Sequence, residues 1–101
     1  MEHNFDPLLL SQARLGIISV LMTRGDASFS DLKGLLGLTQ GNLGVHLRKL
    51  EEGGYVEVRK EFVDRKPRTT AVITDAGRAA FRDHVETLGK IAGGGAGESQ
   101  A

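Results

Sequence analysis

Apolar residues recur along this chain first at helical spacing, then in alternation, then at helical spacing again. Between Leu8 and Met22 they form two stripes on one helix. Leu10, Ala13, Ile17 and Leu21 make the first; Leu8, Leu15, Ile18 and Met22 make the second, rotated about the axis. Asp6-Pro7 is a start signal, with Asp as N-cap and Pro at the first helical position. The predicted helix therefore runs from Pro7 to Arg24 and stops at Gly25. One stripe suffices to dock it on a core, and the second needs another partner. Ser30 is positioned to cap a short helix from Asp31 to Leu36, with Leu32, Leu35 and Leu36 turned inward. Gly34 costs this helix about 1 kcal/mol relative to alanine, which implies a closely approaching backbone. Gly37-Leu38-Thr39 reads as a tight turn, with Gly37 in the left-handed conformation and Thr39 capping the next helix. That helix spans Gln40 to Glu52; Leu43, Leu47 and Leu50, at i, i+4 and i+7, bury its inner face, and Gly53-Gly54 ends it.

From Tyr55 the period falls to two, Val56 and Val58 alternating with Glu57 and Arg59. Strands are predicted over Tyr55–Phe62 and Thr69–Thr74. Val63 to Arg68 is the expected hairpin loop, stiffened by Pro67 where no ladder donor is required. Ala27-Ser28-Phe29 could add a small third strand. Thr74 or Asp75 caps a last helix, Ala76 to Ile91, striped by Phe81, Val85 and Leu88 and backed by Ala79 and Ala80. The order is helix, helix, helix, strand, strand, helix: a mainly α fold of the α+β class. Residues 7–91 form one domain, between an N-terminal tail (1–6) and a Gly-rich tail (92–101).

Composition removes several function classes. The chain has no cysteine, which excludes disulfides, thiolate metal sites and thiol redox sensing. The most apolar run, Leu15 to Met22, is far shorter than the roughly 20 residues of a membrane span. Met1-Glu2-His3 brings no basic region ahead of a long apolar one, so a secretory signal is not expected and the cytoplasm is the expected compartment. Formal net charge is zero, yet its distribution is uneven. Residues 39–68 hold seven basic groups (Arg48, Lys49, Arg59, Lys60, Arg65, Lys66, Arg68) against five acidic ones, whereas the flanks are slightly acidic. Screening acts over roughly 8 Å at physiological salt, so this local patch outweighs the chain total.

The two short helices joined by Gly37-Leu38-Thr39 have the form of a helix-turn-helix, whose second helix enters the DNA major groove. The cation-rich hairpin that follows suits phosphates beside that groove. Three segments in this order, LTQGNLGVHLRKLEEGGYVEV, FVDRKPRTTAVIT and TDAGRAAF, resemble winged-helix transcriptional regulators of the MarR/ArsR type, in particular small single-domain members with a DRKPRT-like wing. The similarity extends from about Leu8 to Leu88. It implies a winged helix-turn-helix with three N-terminal helices, a two- or three-stranded wing and a C-terminal dimerisation helix. It also implies homodimers joined through their terminal helices and an approximately palindromic operator. Relatives often carry Ser or Thr where this chain has Gly44, so one expected polar contact is absent.

The candidate DNA-reading residues are Thr39, Gln40, Asn42, Val45, Arg48 and Lys49 on the second helix, with Arg65, Lys66 and Arg68 on the wing. Gln and Asn can bond both edges of adenine, Val can meet a thymine methyl, and Arg can bond guanine or phosphate. Each has a plainer reading. Thr39 serves as a helix cap, Lys49 meets phosphate at most, and the wing cations could form a solvated hairpin tip. Glu51 and Glu52 would repel DNA and mark where the helix leaves the groove. Arg59 and Lys60 rank second because Glu57 and Glu61 can pair with them. His46, beside Leu43 and Leu50, reads as a partly buried structural histidine; His3, His46 and His84 show no metal-ligand spacing. The candidate dimer residues are Leu8, Leu15, Ile18, Met22, Phe81, Val85 and Leu88.

These features point to a homodimeric, sequence-specific binder of double-stranded DNA that regulates transcription, expected to act as a repressor. The alternative is a winged-helix protein-interaction module without DNA binding. An enzyme is not expected, because nothing brings nucleophile, base and orienting acid together, and no cofactor is implied. An effector would have to bind between the subunits or between the terminal helices and the DNA-reading core.

Overall fold

The computed structural model describes residues 5–93. A 3-10 turn, Pro7–Leu9, leads into α1 (Gln12–Arg24), β1 (Asp26–Ser28), α2 (Phe29–Leu36), α3 (Gln40–Glu52), β2 (Val56–Val63), β3 (Lys66–Ile73) and α4 (Asp75–Ala92). The strands form one antiparallel sheet in the order β1-β3-β2. One core holds the domain together: Leu9, Ile17, Ile18, Leu21, Leu32, Leu43 and Leu50 are all fully buried, and Val56, Ala71 and Ile73 close it from the sheet.

The single first helix expected from Pro7 to Arg24 is divided. Asp6 does cap its start, but only the 3-10 turn: its Oδ1 accepts from the Leu8 amide at 2.9 Å. Ser11 then starts α1 afresh, its Oγ accepting from the Arg14 amide at 3.2 Å. Leu10 falls in the break and is 62% exposed rather than part of a docking stripe. Of the rest of the first stripe, Ile17 and Leu21 are buried as expected and Ala13 is half-buried. Ile18, assigned to the stripe that meets a second subunit, is 0% exposed and so has no surface to offer one. It serves the protomer's own core.

α2 begins two residues earlier than predicted. Ser28, not Ser30, is the cap, accepting from the Asp31 amide at 3.0 Å. Leu32 and Leu36 face the core, but Leu35 is 59% exposed, and nothing lies within 4 Å of a Cβ built on Gly34. The close backbone expected at Gly34 is thus not supplied within the protomer. Gly37 is left-handed (φ 64°) and Thr39 Oγ1 accepts from the Asn42 amide at 3.1 Å, as the turn requires.

The hairpin differs most. The six-residue loop expected over Val63–Arg68 is a two-residue turn, Asp64-Arg65, and Lys66, Pro67 and Arg68 belong to β3. Both turn residues have positive φ, 52° and 66°. That is the geometry of a type I′ turn, which matches the twist of the flanking strands but normally selects Asn-Gly. The turn makes Val63 and Lys66 the hydrogen-bonded pair, so Phe62 and Pro67 form the next, non-bonded pair. There the proline needs no donor, as the sequence suggested.

Thr74 seats α4. Its Oγ1 accepts from the Gly77 amide at 3.0 Å and donates to the Gly54 carbonyl at 2.7 Å, while its amide donates to the Tyr55 carbonyl at 3.1 Å. Gly77 sits at the closest approach of α4 to the start of β2, where a Cβ would lie 2.3 Å from the Tyr55 carbonyl oxygen. The N-terminal segment is also tied down. Tyr55 donates its hydroxyl to Asp6, and the Phe5 ring lies 5.6 Å from that of His84. Asp6 and Phe5, assigned to a tail, are therefore part of the domain; the remainder of that tail and most of the Gly-rich one fall outside the described residues.

Candidate nucleic-acid interface

α3 presents its polar side outward because Leu43, Leu47 and Leu50 hold the other side in the core. Gln40, Gly41, Asn42, Val45, Arg48 and Lys49 are all exposed, on the first three turns of the helix. Thr39 is exposed, but its hydroxyl is already engaged as the cap, so the capping role assigned to it is the one in use. The amides at this helix start also carry the partial positive charge that attracts phosphate.

α3 and the wing line a common groove of about 370 Å³. Gln40, Gly44, Leu47, Arg48 and Glu51 form one wall, and Val58, Lys60 and Thr69 the other, with Phe29 at the floor. The recognition surface and the wing are thus neighbours. Gly44 leaves this wall open, since nothing lies within 4 Å of where its Cβ would be. Glu51 lies on the same wall rather than beyond it, a negative charge at the groove's inner end.

Strand alternation separates the wing residues into two sets. Val58 and Thr69 face the groove, and so therefore do Lys60, Phe62 and Pro67. Glu61, Val63, Lys66 and Arg68 face the other way, with Arg68 directly opposite Glu61 in the register. Arg65 occupies the turn itself. The three predicted wing cations are all exposed, but only Arg65 is at the tip, and Lys66 and Arg68 are on the outer face. Lys60, ranked behind them, lines the groove and has no ion pair among the described residues. Arg59 is engaged by Glu57 at 3.3 Å, as anticipated. Continuing the Val56/Val58 alternation by two more steps identifies Lys60 and Phe62 from the sequence.

The turn holds Arg65 at a φ of 66°. A non-glycine residue in the left-handed region costs about 1–2 kcal/mol. Glycine would remove that cost but also the charge, so strain at this position is consistent with a working side chain.

His46 lies on the flank of α3 away from the wing, half-buried. Arg14 donates to its Nδ1 at 3.1 Å and also, through Nε, to the Leu8 carbonyl at 2.7 Å. A guanidinium can only donate, so the imidazole here is neutral with its proton on Nε2. Burial first, then the charges of Arg14 and Lys49, hold its pKa below the ordinary 6.5. His46 is structural: it ties α3 to the start of α1.

On the opposite side of the domain, α4 leaves Val85, Leu88 and Ile91 exposed by 49%, 44% and 47%. Phe81, Leu15 and Met22 are half-buried and packed against the core, and Leu8 is half-buried. His84 lies within the protomer, 7% exposed, rather than on this stripe. It helps line a cavity of about 280 Å³ between the N-terminal segment and α4, together with Asp6, Tyr55 and Asp83. Hydrogen bonding to Asp6, then burial, raises the Tyr55 pKa from 10.0 to about 12. Among the described residues no group of His, Asp and Glu side chains could hold a metal ion, and no helix is long and apolar enough to cross a membrane.

Known proteins share this arrangement. The family described as "Winged helix DNA-binding domain" matches residues 13–92. An uncharacterised protein of Methanocaldococcus jannaschii is 40% identical over 75 residues, 74% of this chain and 82% of its own. The structure of a transcriptional regulator homologue from Pyrococcus horikoshii superposes with a TM-score of 0.81 at 39% identity, covering 86% of each chain. A MarR variant of E. coli, solved with operator DNA, shares the fold at a TM-score of 0.71 and 21% identity; the match covers 84% of this chain and 60% of that one. The chain belongs to the winged-helix DNA-binding domain family.

Proposed function

We propose that this protein is a homodimer that binds a roughly palindromic operator and represses transcription by covering it. One observation carries the reading: the exposed polar side of α3 and the wing share one groove, with cations on both walls. In this reading α3 lies in the major groove. Gln40 and Asn42 read base edges, Val45 meets a thymine methyl, Arg48 takes guanine or phosphate, and Lys49 takes phosphate. Arg65, Lys66 and Arg68 hold the flanking backbone or minor groove, joined by Lys60 from the groove side. The exposed stripe Val85, Leu88 and Ile91 supports a partner on α4, and a second copy satisfies both that stripe and the two-fold symmetry of a palindrome. Occlusion requires only these two surfaces, which favours repression over activation.

An effector, where one acts, fits the cavity lined by Asp6, Tyr55, Asp83 and His84. It lies between the N-terminal segment and α4, against Tyr55 just ahead of β2, so a ligand there would bias the setting of α4 and with it the spacing of the two recognition helices. Glu51 in the groove and the zero net charge are the features that favour a protein partner instead. Selection of duplexes from a random pool, followed by footprinting, decides between the readings. Two half-sites about one helical turn apart are expected. Failure to retain any duplex at low salt would refute DNA binding and favour the protein-interaction alternative.

A further inference from the structure

Phe62 is 77% exposed, the most open large apolar side chain among the described residues, while Phe5, Phe29 and Phe81 are half-buried. Its position is specific. It is two residues from the hairpin tip, on the face turned toward α3, directly opposite Pro67. In a non-bonded antiparallel pair the side chains approach most closely, so the aromatic ring is backed by a proline ring. The tight Asp64-Arg65 turn stiffens this pair from one side. β1 pairs with β3 only as far as Thr70, so the pair stands on the part of the hairpin that projects beyond the third strand. Lys60 shares its face and Arg65 stands at the adjacent tip, while Lys66 and Arg68 edge the same hairpin from its other face, all exposed.

An isolated apolar plate on a cation-edged hairpin is poorly suited to an apolar protein surface, which could not satisfy the charges. It suits a duplex, whose phosphates meet the cations while the stacked base faces accept the ring. We propose that Phe62, supported by Pro67, is a wedge that enters the minor groove beside the α3 site and partly unstacks one base step. The proposal rests on the duplex-binding reading above and adds how the wing engages DNA. It also adds a source of sequence preference that no polar side chain supplies. Pyrimidine–purine steps unstack most readily, so one such step in each half-site flank is the expected point of entry.

The test uses the full chain on its selected operator. 2-Aminopurine placed along the flanks reports unstacking, and end-to-end energy transfer reports bending. Wild-type protein is expected to raise 2-aminopurine emission at one step per half-site and to bend the duplex by at least about 20°. Phe62→Ala should abolish both signals and weaken binding roughly tenfold, leaving the salt dependence unchanged because no phosphate contact is lost. Phe62→Leu, which keeps an apolar wedge, should retain most of the bend. Because the ring is exposed, Phe62→Ala should melt within a few degrees of wild type. Unchanged bend and emission in Phe62→Ala would overturn the wedge while leaving DNA binding intact. So would a loss of bend accompanied by a shallower salt dependence, since the wing would then have left the backbone altogether. A wild-type chain that binds no duplex removes the duplex reading itself and the wedge with it.

Discussion

Replacing Gly77 by alanine adds one methyl group where the fold has no room for it. The new Cβ would lie 2.3 Å from the Tyr55 carbonyl oxygen and 2.9 Å from Ile73 Cγ1. Ordinary contact needs about 3.5 Å, so the start of α4 must retreat by roughly 1 Å. The obstacle is backbone, which cannot turn aside as a side chain would. The retreat also stretches the Thr74 amide bond to Tyr55 and the Thr74 hydroxyl bond to Gly54. Overpacking costs about 1–3 kcal/mol, and each weakened hydrogen bond up to about 1 kcal/mol. Against this stands the helix propensity of alanine, at most about 1 kcal/mol. The net loss is about 2–3 kcal/mol, a fall in Tm of roughly 10–20 °C for a domain of this size. Gly34→Ala makes the same chemical change in open space and should have the opposite sign, raising Tm by roughly 4–8 °C. Circular dichroism melts at several protein concentrations separate this from subunit association. A Gly77→Ala protein as stable as wild type would refute the packing argument for how α4 is seated.

Three further outcomes are expected. The depressed pKa of His46 means that the unfolded chain takes up its proton more readily than the folded one. The corresponding stability is complete above about pH 6.5 and is lost as pH falls through the folded pKa. Melts from about pH 7 to about pH 5 should therefore show a decline that is shallower in His46→Gln; equal slopes would contradict it. Leu88→Glu places a charge in the α4 stripe and should convert dimer to monomer in sedimentation, with DNA affinity falling accordingly; an undisturbed dimer would place the interface elsewhere. Arg65→Gly relieves the left-handed turn and should raise Tm by roughly 4–8 °C. It should also weaken duplex binding and reduce the salt slope by about 0.9, and tighter binding would contradict the role given to this arginine.

The helix-turn-helix was legible because its signals are local. Gly37, Thr39 and the Leu43/Leu47/Leu50 spacing act within a few residues of themselves, and α3 has the bounds they predict. The first helix was misread because Asp6-Pro7 is a strong start signal and Ser11 a weak one. A single serine inside an apolar run shows no sign that it begins a second helix. Ile18 and Leu35 exchanged their expected environments because periodicity ranks the faces of a helix without saying which neighbour covers each. The position of α4 and the sheet decides that, and only tertiary packing fixes it. Pro67 and the charges around it suggested a long loop, whereas a proline in a non-bonded pair is compatible with a strand. The consequence reached the candidate site: the expected loop hid the register that puts Lys66 and Arg68 on the outer face, whereas the alternation placing Lys60 and Phe62 on the groove side was already present in the predicted strand.

In the proposed complex, α3 and the wing together form the surface that meets duplex DNA. Amide chemical-shift mapping of the full chain against its selected operator tests this residue by residue. The expected result is perturbation concentrated in Thr39–Lys49 and Lys60–Thr69, with α4 from Val85 to Ile91 unmoved. Perturbation centred on α4, or none along the wing, would contradict it.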